Sequence, residues 1–333
     1  MVRALSKTIF TVLLPMYIGT SILKTVTTTT SGGVGGVSRS AFVAVPLLAF
    51  IQAAILIFIS SKVLLPLYGL DPNSDLGRTT TIMCSFGNAG VLPFIFADAL
   101  FRDQAQLLQR ALSQVSLFSL GWSPFFWSFG KKILVGREND DNGNVSKWKQ
   151  FIPPPVLGVV AGLIIGLSPC GPLLVSNVGE TNTAPLAVVF NSIQNMSKAA
   201  SPLGLLVLTC SLAMGATKKS EVVATTRKNQ TQQWACVSTA RFILSPLIMF
   251  GLLCGMKLIG LIGTQQSEPM LWFVVLLQSI MPPAQNSVVL LQVANRGEEA
   301  SQLARFLFSI YATAMIPIVS IITATLDSFH LAV

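Results

Sequence analysis

Two short stretches set proline beside neutral amides inside otherwise apolar sequence: CSFGNAGVLPF at 84–94 and LLQSIMPPAQNS at 276–287. Ser85, Asn88, Gln278, Gln285 and Asn286 can hydrogen-bond a carboxylate or an amide without the cost of burying a charge of their own. Pro93, Pro282 and Pro283 each remove a backbone donor and interrupt a helix. Gly87 and Gly90 suit close backbone crossing, although glycine is also ordinary at packed helix surfaces in membranes. Each interruption creates a new half-helix N-terminus, with free N–H groups and about half a positive charge. Two such ends aimed at one cavity would attract an anion. The competing reading is that the amides simply bind backbone groups freed by proline. Other chemistries lack their residues. Asp98 and Asp327 lie toward the ends of apolar segments, and the single histidine, His330, is in the C-terminal tail. No triad, acid pair or metal cluster is visible, which disfavours an enzyme, and no cofactor motif is present. Cys84, Cys170, Cys210, Cys236 and Cys254 show no C-x-x-C spacing and read as buried free thiols.

Irregular backbone at membrane depth survives only inside protein or beside a water-filled cavity. A pair of such interruptions, one in each half, points to a transporter's substrate site. The composition agrees: of 333 residues, 52% are hydrophobic and 11% charged, with a mean hydropathy of +0.67. Apolar blocks of spanning length are expected at 8–26, 41–66, 80–100 (broken), 112–135, 152–168, 197–216, 237–262, 271–294 (broken) and 303–327. Pro15, Met16 and Tyr17 interrupt the first block, which reads as a retained helix and not a signal peptide. Residues 136–150 form a polar linker, dividing the chain into 1–135 and 151–329. A second polar loop, 217–233, carries Lys218, Lys219, Arg227 and Lys228, and 183–196 reads as a mildly amphipathic interfacial piece.

The net charge of +9 does not imply nucleic acid, because the basic residues sit between apolar blocks, where they set orientation. With nine spans and a cytoplasmic N-terminus, Lys24, Arg39, Arg102, Arg110, Lys198 and Lys257 fall on the far side. The other sixteen, Arg241 among them, fall on the cytoplasmic side. The second half has three spans before its break and the first has two. Inverted five-helix repeats, the first lacking its opening helix, account for that difference.

Together with FIPPPVLGVVAGLIIGL at 151–167 and LLQVA at 290–294, the two broken stretches resemble the auxin efflux carrier superfamily, closest to its PIN-LIKES branch. The likeness runs along essentially the whole chain. It implies an all-α polytopic membrane protein of inverted repeats, with crossing broken helices that hold the substrate at Ser85, Asn88, Gly90, Pro93, Gln278, Pro282, Pro283, Gln285 and Asn286. The match starts at the family's second helix, so an in-frame opening helix is expected upstream. Val91 and Gln285 depart from the branch's usual residues, at positions that bear on the substrate. The resemblance implies a carrier of indole-3-acetic acid or a similar small organic anion, in the endoplasmic-reticulum membrane more than the plasma membrane, acting alone or as a homodimer. A Na⁺-coupled carrier like the bile-acid symporters and a non-transporting receptor or scaffold are the alternatives.

Overall fold

The apolar blocks fold as helices, and the described residues form no strand. In this computed structural model the described residues are 1–30, 38–136, 153–175, 184–217 and 224–329. The polar linker, from 137 onward, and His330 lie outside them. Counting a helix continued through a π-turn as one, α1 is Val2–Thr30, α2 spans 39–67, α3 is Asp75–Ser85, α4 is Val91–Phe101 and α5 spans 105–135. After these come α6 (Pro154–Leu167), α7 (Ala187–Ser197), α8 (Ala200–Thr217) and α9 (224–258). The chain closes with α10 (Pro269–Ile280), α11 (Asn286–Val293) and α12 (Gly297–Ser328).

Five stretches are long and apolar enough to cross a membrane: Val2–Thr30, Ser40–Leu67, Ala187–Met214, Lys228–Leu258 and Gly297–Ser328. The helices α4, α6 and α10 are apolar but shorter. Outward-facing Phe58, Leu247, Phe308 and Ile316 are exposed, a surface suited to lipid and not to water.

The broken segments are confirmed as pairs of half-helices, α3 with α4 and α10 with α11. Several helices begin earlier than expected, α1 at Val2, α3 at Asp75 and α12 at Gly297 among them, and two differ most. Helix α9 begins at 224, inside the stretch read as a polar loop, and α5 begins at Ala105, not near 112. Both added pieces, AQLLQRA at 105–111 and ATTRKNQTQQWAC at 224–236, carry Ala, Gln and Arg, good helix formers. Hydropathy marks where a helix meets lipid, not where it starts.

Small residues let the helices approach. A Cβ on Gly162 would lie 2.5 Å from the Gly19 carbonyl oxygen, and one on Gly158 would overlap Pro15. The α1–α6 contact is therefore a glycine-mediated crossing. Gly121 of α5 similarly meets the carbonyl of Pro46 in α2. Helix starts are capped locally: the Ser74 hydroxyl accepts the Gly77 N–H at 3.0 Å, and Asp75 sits in the first turn of α3, where an acid complements the helix dipole. Arg296 then ties three elements together. It donates to Asp75 at 2.9 Å, to the Leu134 and Val135 carbonyls ending α5 at 3.1 and 3.2 Å, and to Glu299 at 2.5 Å. The hydrogen bond from Arg296 is the main cause holding the Asp75 carboxyl below its usual range.

Candidate functional site

Residues 86–90 and 281–284 leave the helical conformation: Pro282 and Pro283 lie in the second strip, and Pro93, in the first turn of α4, has no N–H to carry the helix on from the residues before it. The two strips run antiparallel and pair Gly87 with Pro283. The Asn88 N–H donates to the Pro282 carbonyl at 2.7 Å, and the Ala284 N–H donates to the Phe86 carbonyl at 2.9 Å. Each break thus satisfies backbone groups that the other has freed. The breaks expected from sequence meet at one point.

Side chains lock that crossing. Asn88 Nδ2 donates to the Tyr311 hydroxyl at 3.0 Å, which donates to the Pro283 carbonyl at 2.9 Å. Gln278 Nε2 and the Ser119 hydroxyl both donate to the Ala89 carbonyl at 3.2 Å. Ser85 donates back to the Thr81 carbonyl at 2.8 Å. Gln278 fits the backbone-satisfying reading directly, Asn88 reaches a carbonyl of the other break only through the Tyr311 hydroxyl, and Ser85 bonds within its own helix.

Beside the crossing lies a cavity of about 40 Å³. Gly90 and Val91 at the start of α4, and Gln285 and Asn286 at the start of α11, line it together. Both half-helix N-termini therefore face one space. Tyr17, Phe94, Trp122 and Trp127 supply aromatic walls, and Ser21, Ser116, Ser119, Ser123 and Ser201 supply hydroxyls. The buried indole N–H groups of Trp122 and Trp127 have no hydrogen-bond partner among the described residues. Trp127 sits in the π-turn Phe126–Gly130, and such turns recur at functional sites. A uniform α-helix would turn residues five apart away by about 140°, yet here both tryptophans wall the cavity.

A larger space of about 450 Å³ adjoins the first, and Tyr17, Ser21, Phe94 and Ser116 line both. Lys24, Arg102 and Lys198 stand around it, so three of the six basic residues assigned to the far side converge here. The Tyr17 and Phe94 rings meet edge to face, 5.9 Å apart, at the boundary between the two spaces.

Of the expected site residues, Gly90, Gln285 and Asn286 line the cavity. Ser85 and Gln278 face a separate void of about 10 Å³ on the other side of the crossing. Asn88, Pro93, Pro282 and Pro283 are buried in the structure around them.

Arg241 requires a correction. Grouped by sequence with the cytoplasmic charges, it lies instead at the midpoint of α9, 2% exposed, inside the π-turn Ala240–Leu244. Its Nε and Nη2 donate to the Met281 carbonyl at 3.0 and 2.7 Å, and Nη2 also reaches the Ser279 carbonyl at 3.2 Å. The core of the site is therefore not neutral. Arg241 falls in mid-helix because α9 begins at 224, inside the stretch read as a polar loop. Tyr311, Trp122 and Trp127 were also missed, because nothing local distinguishes them from core aromatics. The five cysteines are free, and Cys84 and Cys236 are buried with sulfurs 3.9 Å apart. Contrary to expectation, Cys210 and Cys254 are only half-buried, and Cys170 is exposed because it sits in the turn after α6. Among the described residues no cluster of three or more His, Cys, Asp or Glu could hold a metal.

The membrane transport protein family matches residues 1–322. Among curated proteins of Arabidopsis thaliana, Protein PIN-LIKES 1 is 29% identical over 170 residues, covering 50% of this chain and 31% of its own length. Protein PIN-LIKES 4 is 29% identical over 200 residues, covering 54% and 45%. Protein PIN-LIKES 3 is 22% identical over 299 residues, covering 73% and 72%. The chain thus spans less than half the length of the first two relatives. No solved structure matches it. With a family match along nearly its whole length and two broken helices that cross, the chain belongs to the membrane transport protein family, that of the auxin efflux carriers.

Proposed function

We propose that the chain is a carrier that moves a small organic anion of the auxin type, such as indole-3-acetate, by alternating access. The observation that carries this reading is the convergence of Gly90, Val91, Gln285 and Asn286 on one cavity walled by Trp122 and Trp127. The cavity offers amide and indole N–H donors, hydroxyls and aromatic faces, and no acid lines it. A carboxylate needs donors, and an aromatic body needs flat apolar walls. The reading further takes the chain as nine spans in two inverted halves, 1–135 and 151–329, in the endoplasmic-reticulum membrane.

At about 40 Å³ the cavity is far below the roughly 300–1,000 Å³ of ligand sites, and the carrier reading takes this conformation as a closed one. Opening would part Tyr17 from Phe94 and join the cavity to the 450 Å³ space. Lys24, Arg102 and Lys198 would there raise the local concentration of anions. The test is uptake of labelled indole-3-acetate by proteoliposomes holding the full chain. Saturable uptake, competed by other aromatic carboxylates, is expected. Uptake no faster than in empty liposomes would overturn the carrier reading.

A further inference from the structure

A break in a helix leaves a C-terminus as well as an N-terminus. The two ends carry about half a charge each, of opposite sign, and at each break they are separated by only the few residues between Ile280 and Asn286 or Ser85 and Val91. Each C-terminal end lies close enough to offset part of the field that the neighbouring N-terminus sets up in the cavity. Half-helix dipoles alone therefore make a weak case for choosing an anion.

Arg241 changes the balance at the second break. Its guanidinium makes three hydrogen bonds to the Ser279 and Met281 carbonyls, covering the negative end of α10 with a full positive charge. No carboxylate among the described residues pairs with it. A buried charge without a counter-charge is costly, so its retention at the centre of the molecule calls for a reason. The surroundings hold it against the crossing. A Cβ on Gly87 would overlap the guanidinium. The Ser245 hydroxyl, supported by Gln52 at 2.8 Å, donates to the Ser279 carbonyl at 2.5 Å. Trp122 walls both the void beside Arg241 and the larger cavity on the other side.

We propose that Arg241 is the positioning residue that gives the crossover cavity its preference for an anion, acting through the end of α10 and not by touching the substrate. This rests on the carrier reading. The anion, while bound, is the counter-charge that Arg241 otherwise lacks, and a neutral ligand of the same shape gains nothing from it.

The experiment compares binding of indole-3-acetate and its methyl ester to the purified full chain, as wild type, Arg241→Gln, Arg241→Lys and Gln52→Glu. The Glu variant puts a carboxylate into the void that Arg241 lines without removing the guanidinium; it also loses the Gln52 N–H to Ser245, a change that the ester reports, so it serves if Arg241→Gln does not fold. The wild type should prefer the acid. Arg241→Gln and Gln52→Glu should each lose about tenfold in affinity for the acid with little change for the ester, the size that two unit charges on the order of 10 Å apart would give at an effective dielectric of about 20. Arg241→Lys should keep most of the preference. A purely structural role would weaken acid and ester together. An unchanged acid-to-ester ratio in whichever of the Gln and Glu variants folds overturns the proposal and leaves the carrier reading standing. A wild type that binds neither ligand removes the carrier reading itself, and one that binds both equally overturns the role of Arg241 alone.

Discussion

In the first break, 86–90, the polar groups turn into the protein: the Asn88 amide reaches Tyr311, the Ala89 carbonyl is held by Ser119 and Gln278, and Gly87 lies against Arg241. In the second break, 281–285, the carbonyls are taken up by Arg241 and Tyr311, while Gln285 and Asn286 line the cavity. Two stretches with nearly the same ingredients, an amide close to proline, have therefore divided the task. The first fastens the crossing and the second presents donors to whatever the cavity holds. Symmetry of sequence does not carry over to symmetry of role, because the neighbours differ. Tyr311 from α12 claims Asn88, and among the described residues no lysine or arginine donates to the end of α3 as Arg241 does to that of α10.

The comparison can be broken most severely at the glycines. Gly87→Ala would push a methyl into the guanidinium and to 3.1 Å from the Met281 carbonyl, disturbing both breaks at once. Overpacking at a buried polar junction should cost about 3 kcal/mol or more, seen as loss of monodisperse protein or a large fall in melting temperature. Gly90→Ala is the control, since its Cβ would meet nothing within 4 Å and its φ is −102°. It should melt like the wild type. Equal melting of the two variants would contradict the fastening role of Gly87.

A sharper contrast is between the two asparagines. Asn286→Ala should weaken binding of the acid by about 10- to 150-fold, the worth of a hydrogen bond to a charged partner, with little change in stability. Asn88→Ala should do the reverse, lowering the melting temperature while leaving affinity closer to wild type. If Asn88→Ala abolishes binding at unchanged stability, the division of roles fails.

Next in size is the link between Asn88 and the second break. Tyr311→Phe removes the hydroxyl that accepts from Asn88 and donates to the Pro283 carbonyl, leaving both buried groups unpaired at a cost of about 1–3 kcal/mol. Because the two residues share one chain of bonds, the double variant with Asn88→Ala should lose less than the sum of the singles. Strict additivity in thermal or denaturant unfolding would show that the chain is not a unit.

The smallest effect lies at the start of α3. Asp75 is held below its usual range, first by its hydrogen bond to Arg296. A folded-state value below the unfolded one means that the contribution is complete above the unfolded value, about pH 3.9, and fades as pH falls through the lowered one. Asp75 is largely exposed, so the effect should be slight. Asp75→Asn should melt marginally earlier than wild type near neutrality, with the gap closing as pH drops below about 4. A gap that widens in acid would contradict the assigned cause.

Local sequence determined much of this molecule. Apolar blocks of spanning length had to be helices, since lipid offers backbone groups no partner, and prolines at 93, 282 and 283 placed the interruptions within a few residues. Those are short-range facts, legible in any window of the chain. What each polar residue does was decided by the tertiary structure. Asn88 became a fastener because Tyr311, far along the chain, stands opposite it, and Arg241 became a buried cation because α9 begins seventeen or so residues earlier and turns that face inward. Trp122 and Trp127 look like core aromatics until their unpartnered N–H groups are found in one wall. A hydrogen-bond partner or a counter-charge lies wherever folding brings a distant helix, and no pattern of neighbouring residues encodes that rotation and depth.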